Sequence, residues 1–329
     1  MPITILTEAE LRQCVMLDLP LIDRIADGFA ALARDQAVMP PVLSMAIEDY
    51  NGEVDVKTAY VKGFDSFAIK ISPGFFDNPG LGLPSLSGLM VLLSARTGQV
   101  EALLLDNGYL TDLRTAAAGA VAARALSPDR ALRVGVFGAG LQARLQIQSL
   151  LLVRPIDRLT VWARNADQAR RYADEMHREL DLNVEVAADP QTVVVSSDTV
   201  ITTTPATSPL IEADWLHPGL HITAMGSDAD YKNELAPGVL AAADRFVCDR
   251  RAQSLSRGEW RHAVLSGDLP EDAPVDELGE IVAGAAAGRR HDDEITVCDL
   301  TGTGVQDTAI ALYAYRAAAE RGFGTLFAN

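Results

Sequence analysis

Between Leu132 and Gln148 the chain reads LRVGVFGAGLQARLQIQ: an apolar run, a glycine-rich turn and an amphipathic segment. Leu132, Val134, Val136 and Phe137 have the pattern of a short buried strand. The turn Gly138-Ala-Gly140-Leu141-Gln142-Ala143 fits G-x-G-x-x-G/A. Its place between a strand and a helix makes it a dinucleotide-binding fingerprint. Gly138 permits the sharp turn, Gly140 lets the backbone approach a pyrophosphate, and Ala143 lets helix and strand pack closely. The N–H groups at the helix start then face the phosphates. About 20 residues further on, an acidic residue would bind both hydroxyls of the adenosine ribose. Here the chain has Leu159-Thr-Val-Trp162 followed by Ala163-Arg164-Asn165, with no acid. Arg164 can pair with a 2′-phosphate, so the pattern favours NADP over NAD, which stays open.

The elements around this turn alternate. Strands are expected at 132–137, 158–163, 199–202, 220–224, 245–248 and 295–299, with helices between several of them. That alternation is the signature of an α/β, Rossmann-type doubly wound parallel sheet. Before it, Leu21, Ile22, Ile25, Phe29 and Leu32 recur at helical spacing behind Asp18, a fitting N-cap. From Val42 to Asp106 short β runs (Val54–Val61, Phe67–Ile71, Leu89–Leu93, Val100–Leu105) are divided by Asn51-Gly52, Lys62-Gly63 and Thr97-Gly98. The segment Tyr109–Leu126 is a helix so rich in alanine and glycine that something must pack closely against it. A last helix, Val305 to Arg321, is expected to return to the first domain. The expected organisation is therefore a discontinuous α+β substrate and dimerisation domain (1–115 and 305–329) around a dinucleotide-binding domain (116–304).

With 329 residues, 48% hydrophobic and 22% charged, the composition is that of a soluble globular protein of two domains. The net charge of −17 argues against nucleic acid and against an anionic membrane surface as partners. The start MPITILTEAELRQ lacks the basic and apolar regions of a signal peptide, and no apolar run approaches the ~20 residues of a membrane span. Cys14, Cys248 and Cys298 are odd in number and widely spaced, which suits reduced thiols in the cytoplasm. The five histidines form no ligand-like spacing, so no metal is expected.

Four stretches carry a family resemblance: Leu113-Arg-Thr-Ala-Ala117, the Gly138–Gln142 turn, Ala224-Met-Gly-Ser-Asp228 with Lys232, and Thr301-Gly302-Thr-Gly304-Val-Gln-Asp307. In this order they resemble the ornithine cyclodeaminase/mu-crystallin family across nearly the whole chain. Within it, residues 56–98 and 101–126 look most like the ectoine-utilisation (EutC) branch. The resemblance implies an NAD(P)-dependent enzyme, a homodimer paired through the sheet of its substrate domain, acting on a small amino acid or its imine. Lys70 matches the lysine near the substrate carboxylate, Arg114 the arginine near substrate and cofactor, and Asp228 the catalytic acid. Thr115, Gly138, Gly140, Leu141, Gln142, Arg164, Thr203, Met225, Gly226, Lys232 and Thr301 are the expected cofactor contacts.

Physical chemistry supports these roles. Arg114 offers a carboxylate a bidentate fork, whereas Lys70 is a point charge. Asp228 follows the expected strand His221–Ala224 at the carboxyl edge where open α/β sheets bind ligands. Partial desolvation there would raise its pKa toward acid–base work on an amine or imine. The plain alternatives are an outward strand lysine, a helix-surface arginine and a turn-forming aspartate. Asp292-Asp-Glu294 reads as a solvated loop, and His221 and Trp260 as structural. Ornithine cyclodeaminases carry a further arginine after the first helix, but residues 37–56 contain none. Lys57 on the next strand is the cation that could replace it. A non-catalytic binder of the mu-crystallin type, or a subunit active only with a partner enzyme, is the alternative reading.

Overall fold

The computed structural model describes residues 2–328. The chain divides into two compact units, Met1–Arg114 with Thr303–Asn329, and Thr115–Gly302.

Among the described residues the first unit holds an eight-stranded sheet. Its order is Thr325–Phe327, Ile3–Thr7, Val100–Leu105, Leu89–Ser94, Ser66–Phe75, Gly52–Val61 and Ala37–Val38, with Leu43–Ile47 also paired to Gly52–Val61. Ile3–Thr7 runs parallel to Val100–Leu105; the other neighbours are antiparallel. Side chains alternate between faces. Ala59, Val61, Ala68, Met90, Leu92, Ala102 and Leu104 are buried on one face. On the other, Phe67, Ile69, Ile71, Leu89, Val91 and Leu103 are only partly covered. The helix Leu19–Ala33 begins where the Asp18 carboxylate accepts a hydrogen bond from Leu21 N, 2.9 Å, and it buries Leu21, Ile22, Ile25, Phe29 and Leu32. Each of those large side chains contributes about 1.5–3 kcal/mol by leaving water.

The helix Gly304–Glu320 lies on the buried face. The Thr308 hydroxyl donates to Ala59 O at 2.7 Å and accepts from Ala68 N at 3.1 Å, which ties this helix to two central strands. The helix can approach so closely because its first residue is glycine. A Cβ on Gly304 would sit 2.2 Å from Thr58 O.

The second unit has an all-parallel eight-stranded sheet among the described residues. The order is Val184–Val186, Ile156–Trp162, Leu132–Phe137, Thr199–Thr202, His221–Ala224, Thr296–Asp299, Arg245–Cys248 and Asp276–Glu277. This is the Rossmann-type α/β fold expected from the alternation of elements. Most central strands are buried throughout, which is why they read as apolar runs in the sequence. Strand order reverses between Leu132–Phe137 and Thr199–Thr202, and such a switch point opens a crevice at the carboxyl ends of the strands. Gln146 accounts for one of the small residues of Tyr109–Leu126. A Cβ on Gly119 would come 1.9 Å from Gln146 Oε1, and Gln146 Nε2 donates to Thr115 O, 3.1 Å. No helix of the described residues is long and apolar enough to cross a membrane.

The Gly304 contact is with backbone, which cannot move aside as a side chain can. Gly304→Ala is expected to destabilise the protein by about 1–3 kcal/mol through overpacking, despite alanine's better helix propensity. Urea unfolding measures this; a neutral or stabilising substitution would show that the helix does not need this close approach.

Candidate active site

In the first unit, the register of two strands brings a row of cations onto one face. Lys70 pairs across the sheet with Lys57 on one side and Met90 on the other. Lys70 is 2% exposed and its Nζ lies 3.1 Å from Asp307 Oδ1; Arg114 Nε lies 3.0 Å from the same oxygen. Asp307 is fully buried, and its Oδ2 has no hydrogen-bond partner among the described residues. The Thr303/Gln306 capping box starts the helix that carries Asp307. Gln306 Oε1 accepts from Thr303 N at 2.7 Å and from Arg114 Nη1 at 3.4 Å.

Burial, and next the positive charges of Arg114 and Lys57, pull the Lys70 pKa down to about 7, while Asp307 opposes them. Asp106 is pushed up to about 6 by burial; its carboxylate accepts from Leu110 N, 2.9 Å, at the start of the helix that bears Arg114. A desolvated ammonium and guanidinium sharing one carboxylate oxygen leave positive charge in excess, which a further anion could meet. The chemistry this offers is the binding of a small carboxylate.

In the second unit, Gly138 has φ +105°, and a Cβ there would meet Thr203 Oγ1 at 2.7 Å. The Thr203 hydroxyl donates to Phe137 O, 2.9 Å, and so ties two strand ends across the switch point. Gly140 is the N-cap of Leu141–Leu151, with no side chain capping the helix and no atom within 4 Å of where its Cβ would stand. An uncapped first turn behind an open glycine fits the pyrophosphate of a dinucleotide. Leu141 is 55% exposed at the first helical position, and Gln142 Oε1 accepts from Gln146 Nε2, 3.5 Å. Arg164 is exposed just beyond the strand Ile156–Trp162.

Two neighbouring strand ends are clamped by Glu234. Its carboxylate accepts from Thr202 Oγ1 (2.6 Å), Thr204 N (2.6 Å), Thr204 Oγ1 (2.7 Å) and Gly226 N (2.8 Å). Burial raises the Glu234 pKa while these bonds oppose it. Met225 N donates to Thr202 O, 3.1 Å. Thr301 lies at the end of Thr296–Asp299, its hydroxyl donating to Asp249 Oδ1 (2.9 Å) and accepting from Gln253 Nε2 (2.8 Å). That hydroxyl is engaged by protein groups, so Thr301 helps shape the strand end.

Asp228 departs from expectation. Its side chain is 50% exposed, not desolvated, and Lys232 Nζ donates to its Oδ1 at 2.6 Å. Lys232, expected at the cofactor, thus meets Asp228, because Ser227 Oγ bonds Lys232 O at 2.5 Å and closes the loop that carries both. Glu294 also departs: it is buried, accepts from Arg290 N at 2.7 Å and lies 3.8 Å from Arg245, so only Asp292 and Asp293 of that acidic run are solvated. His221 is structural: burial holds it neutral, with a pKa near 3, and its ring bonds Thr296 and Thr223 hydroxyls.

Residues 3–322 match the model of the Ornithine cyclodeaminase/mu-crystallin family. The chain belongs to this family. It is 54% identical to an uncharacterized cyclodeaminase, y4tK, of Sinorhizobium fredii, over 98% of each chain. It is 36% identical to the iminosuccinate reductase of Paracoccus denitrificans over 86% of this chain and 87% of that one. Among solved structures it is similar to the Thermococcus litoralis Delta(1)-pyrroline-2-carboxylate reductase in complex with NADH and L-proline. The TM-score there is 0.93, with 28% identity, 98% of this chain and 99% of that chain covered. Family members thus include imine reductases and cyclodeaminases, and the structural neighbours bind NAD or NADH.

Asp307 and Glu234 carry roles that sequence reasoning does not assign. A signal for Asp307 exists: an acid in the first turn of a helix whose next charged residue is Arg316. Removing one member of a buried ion cluster leaves the others uncompensated, at a cost of about 3–5 kcal/mol. Asp307→Asn is expected to lose that much at neutral pH by chemical denaturation. A loss below about 1 kcal/mol, within the range of surface ion pairs, would mean the cations do not depend on it.

Proposed function

We propose that this protein is an NAD(P)-dependent enzyme that reduces the imine of a small amino acid, or runs the closed cycle of a cyclodeaminase. The observation that carries the reading is the buried Lys70–Arg114 pair on Asp307, in a chain that also has an uncapped glycine turn. Lys70 and Arg114 take the substrate carboxylate. When bound, the dinucleotide supplies a hydride to the substrate Cα or accepts one from it. Asp228 passes a proton to the imine nitrogen, or takes one from the amine, with the Lys232 ammonium that donates to its carboxylate as the proton's source. In the cyclodeaminase direction an internal amine of the substrate would displace ammonia, and a dinucleotide held at the Gly138–Gln142 turn would be left with no net change.

Arg164, with no acid at the end of its strand, supports NADP over NAD. The half-covered apolar sheet face at Phe67, Ile69, Ile71, Val91 and Leu103 supports a homodimer paired through that face. The widely spaced cysteines support a cytoplasmic location, and the resemblance of residues 56–98 and 101–126 to the EutC branch supports a role in ectoine utilisation.

NADPH and NADH oxidation is to be followed with keto acids plus ammonium, with preformed cyclic imines, and with ammonia release from diamino acids in parallel. Net oxidation is expected in the first two, or ammonia without net oxidation in the third; inactivity in all three would favour a binding protein. Asp228→Asn is expected to lower kcat about 100-fold or more while cofactor affinity, measured by fluorescence, holds; an unchanged kcat removes Asp228 from proton transfer. Arg164→Ala is expected to weaken NADPH about tenfold more than NADH, as for a lost charge-assisted hydrogen bond. Equal weakening would show that Arg164 does not read the 2′-phosphate.

A further inference from the structure

Lys57 stands directly opposite Lys70 in the antiparallel pairing of Gly52–Val61 and Ser66–Phe75. Their side chains therefore leave the sheet on the same face, with Cβ atoms about 5 Å apart. Both are buried, 5% and 2% exposed. Like charges directly opposite each other destabilise a sheet, and Arg114 adds a third cation close to Lys70. Asp307 answers Lys70 and Arg114 through a single oxygen. Near Lys57 lies the carboxylate of Asp55, on the same strand at 4.0 Å, 23% exposed and also bonded by Ser44 Oγ at 2.5 Å. The row thus presents cations at two positions, Lys70 with Arg114 and Lys57, on neighbouring strands about 4.8 Å apart.

We infer that Lys57 is the specificity-determining residue of this site and binds a second carboxylate, so that the substrate is a four-carbon amino or imino dicarboxylic acid. This rests on the reading that Lys70 and Arg114 take the first carboxylate. An extended four-carbon chain built from bonds of about 1.5 Å places its terminal carbons about 4 Å apart, and the carboxylate oxygens reach beyond them. That span is close to the spacing of the two strands that carry Lys57 and Lys70. A diamino acid would bring its distal ammonium against Lys57, whereas an apolar side chain would gain nothing from it. The effect of Lys57 in drawing the Lys70 pKa down agrees with the two ammonium groups sharing one field.

The test is equilibrium binding by calorimetry with NAD+ present, using L-aspartate, L-alanine and L-2,4-diaminobutyrate as probes against wild type, Lys57→Met and Lys57→Arg. Wild type is expected to bind L-aspartate at least about tenfold tighter than either other probe, the equivalent of one charge-assisted contact. Lys57→Met is expected to bring the aspartate-to-alanine ratio close to one, and Lys57→Arg to keep it well above one. Equal binding of aspartate and alanine by wild type, preference for the diamino acid, or an unchanged ratio in Lys57→Met would each overturn the assignment. Because both variants are judged by a ratio of ligands, a general loss of folded protein lowers both affinities together and leaves the ratio as it was. Lys57→Arg shows whether the site tolerates change. Turnover separates the dicarboxylate site from the functional reading beneath it. Aspartate selectivity without any NAD(P)H oxidation on oxaloacetate plus ammonium, at any ammonium concentration, keeps the dicarboxylate site and removes the reductase.

Discussion

A single carboxylate, that of Asp307, lets the first unit keep two cations away from water. Moving an ammonium or guanidinium out of water costs several kcal/mol even after relaxation, so Lys70 and Arg114 can be buried only with an anion between them. The features around it serve that placement. The register of Ser66–Phe75 sets Lys70 on the covered face. The Thr303–Gln306 capping box fixes where the helix begins, and Gly304 lets that helix descend onto Thr58. The compensation is incomplete, since Asp307 holds both cations through one oxygen and Lys70 is left with a pKa near 7. A substrate carboxylate, as proposed above, would complete it.

The second unit solves the opposite problem with buried acids. Glu234 gathers amides and hydroxyls from two strand ends. Glu259 accepts from Asn233 Nδ2 (2.7 Å), Glu234 N (2.9 Å) and Leu235 N (3.2 Å), fixing the strand that bears Glu234. Asp249 takes the amides of Thr301 and Gly302, each at 2.8 Å. Burial raises Glu259 well above the carboxylate range, and burial with the Asp249 charge lifts Asp299 to about 8. These groups pin irregular backbone at the carboxyl edge of the sheet, the place where a bound dinucleotide needs loops that do not move.

The second unit is legible in the sequence because its strands are buried on both faces and its glycines have conformational reasons. The strand Leu132–Phe137 and the helix Tyr109–Leu126 have the limits their patterns imply, and the packing demanded by Gly119 is met by Gln146. The first seventeen residues are harder to read, although Ile3–Thr7 is a strand and Thr7 caps Glu8–Cys14 with a complete capping box. A five-residue strand against a partner about a hundred residues away leaves too little local periodicity to see. At the candidate site, residue identities are legible but partnerships are not. Lys70 and Asp307 are 237 positions apart in the chain, and only the register and the helix return join them. The same limit applies to Asp228, whose half-exposed pairing with Lys232 depends on a loop closed by Ser227.

The most direct test of the role given to Asp307 is an NMR titration of 13C-labelled lysine, with the Lys70 signal assigned by its loss in Lys70→Arg. A midpoint near pH 7 is predicted for Lys70 in the free protein, moving upward when a carboxylate ligand saturates the site. A midpoint at the ordinary lysine value of 10.5, unmoved by the ligand, would contradict it.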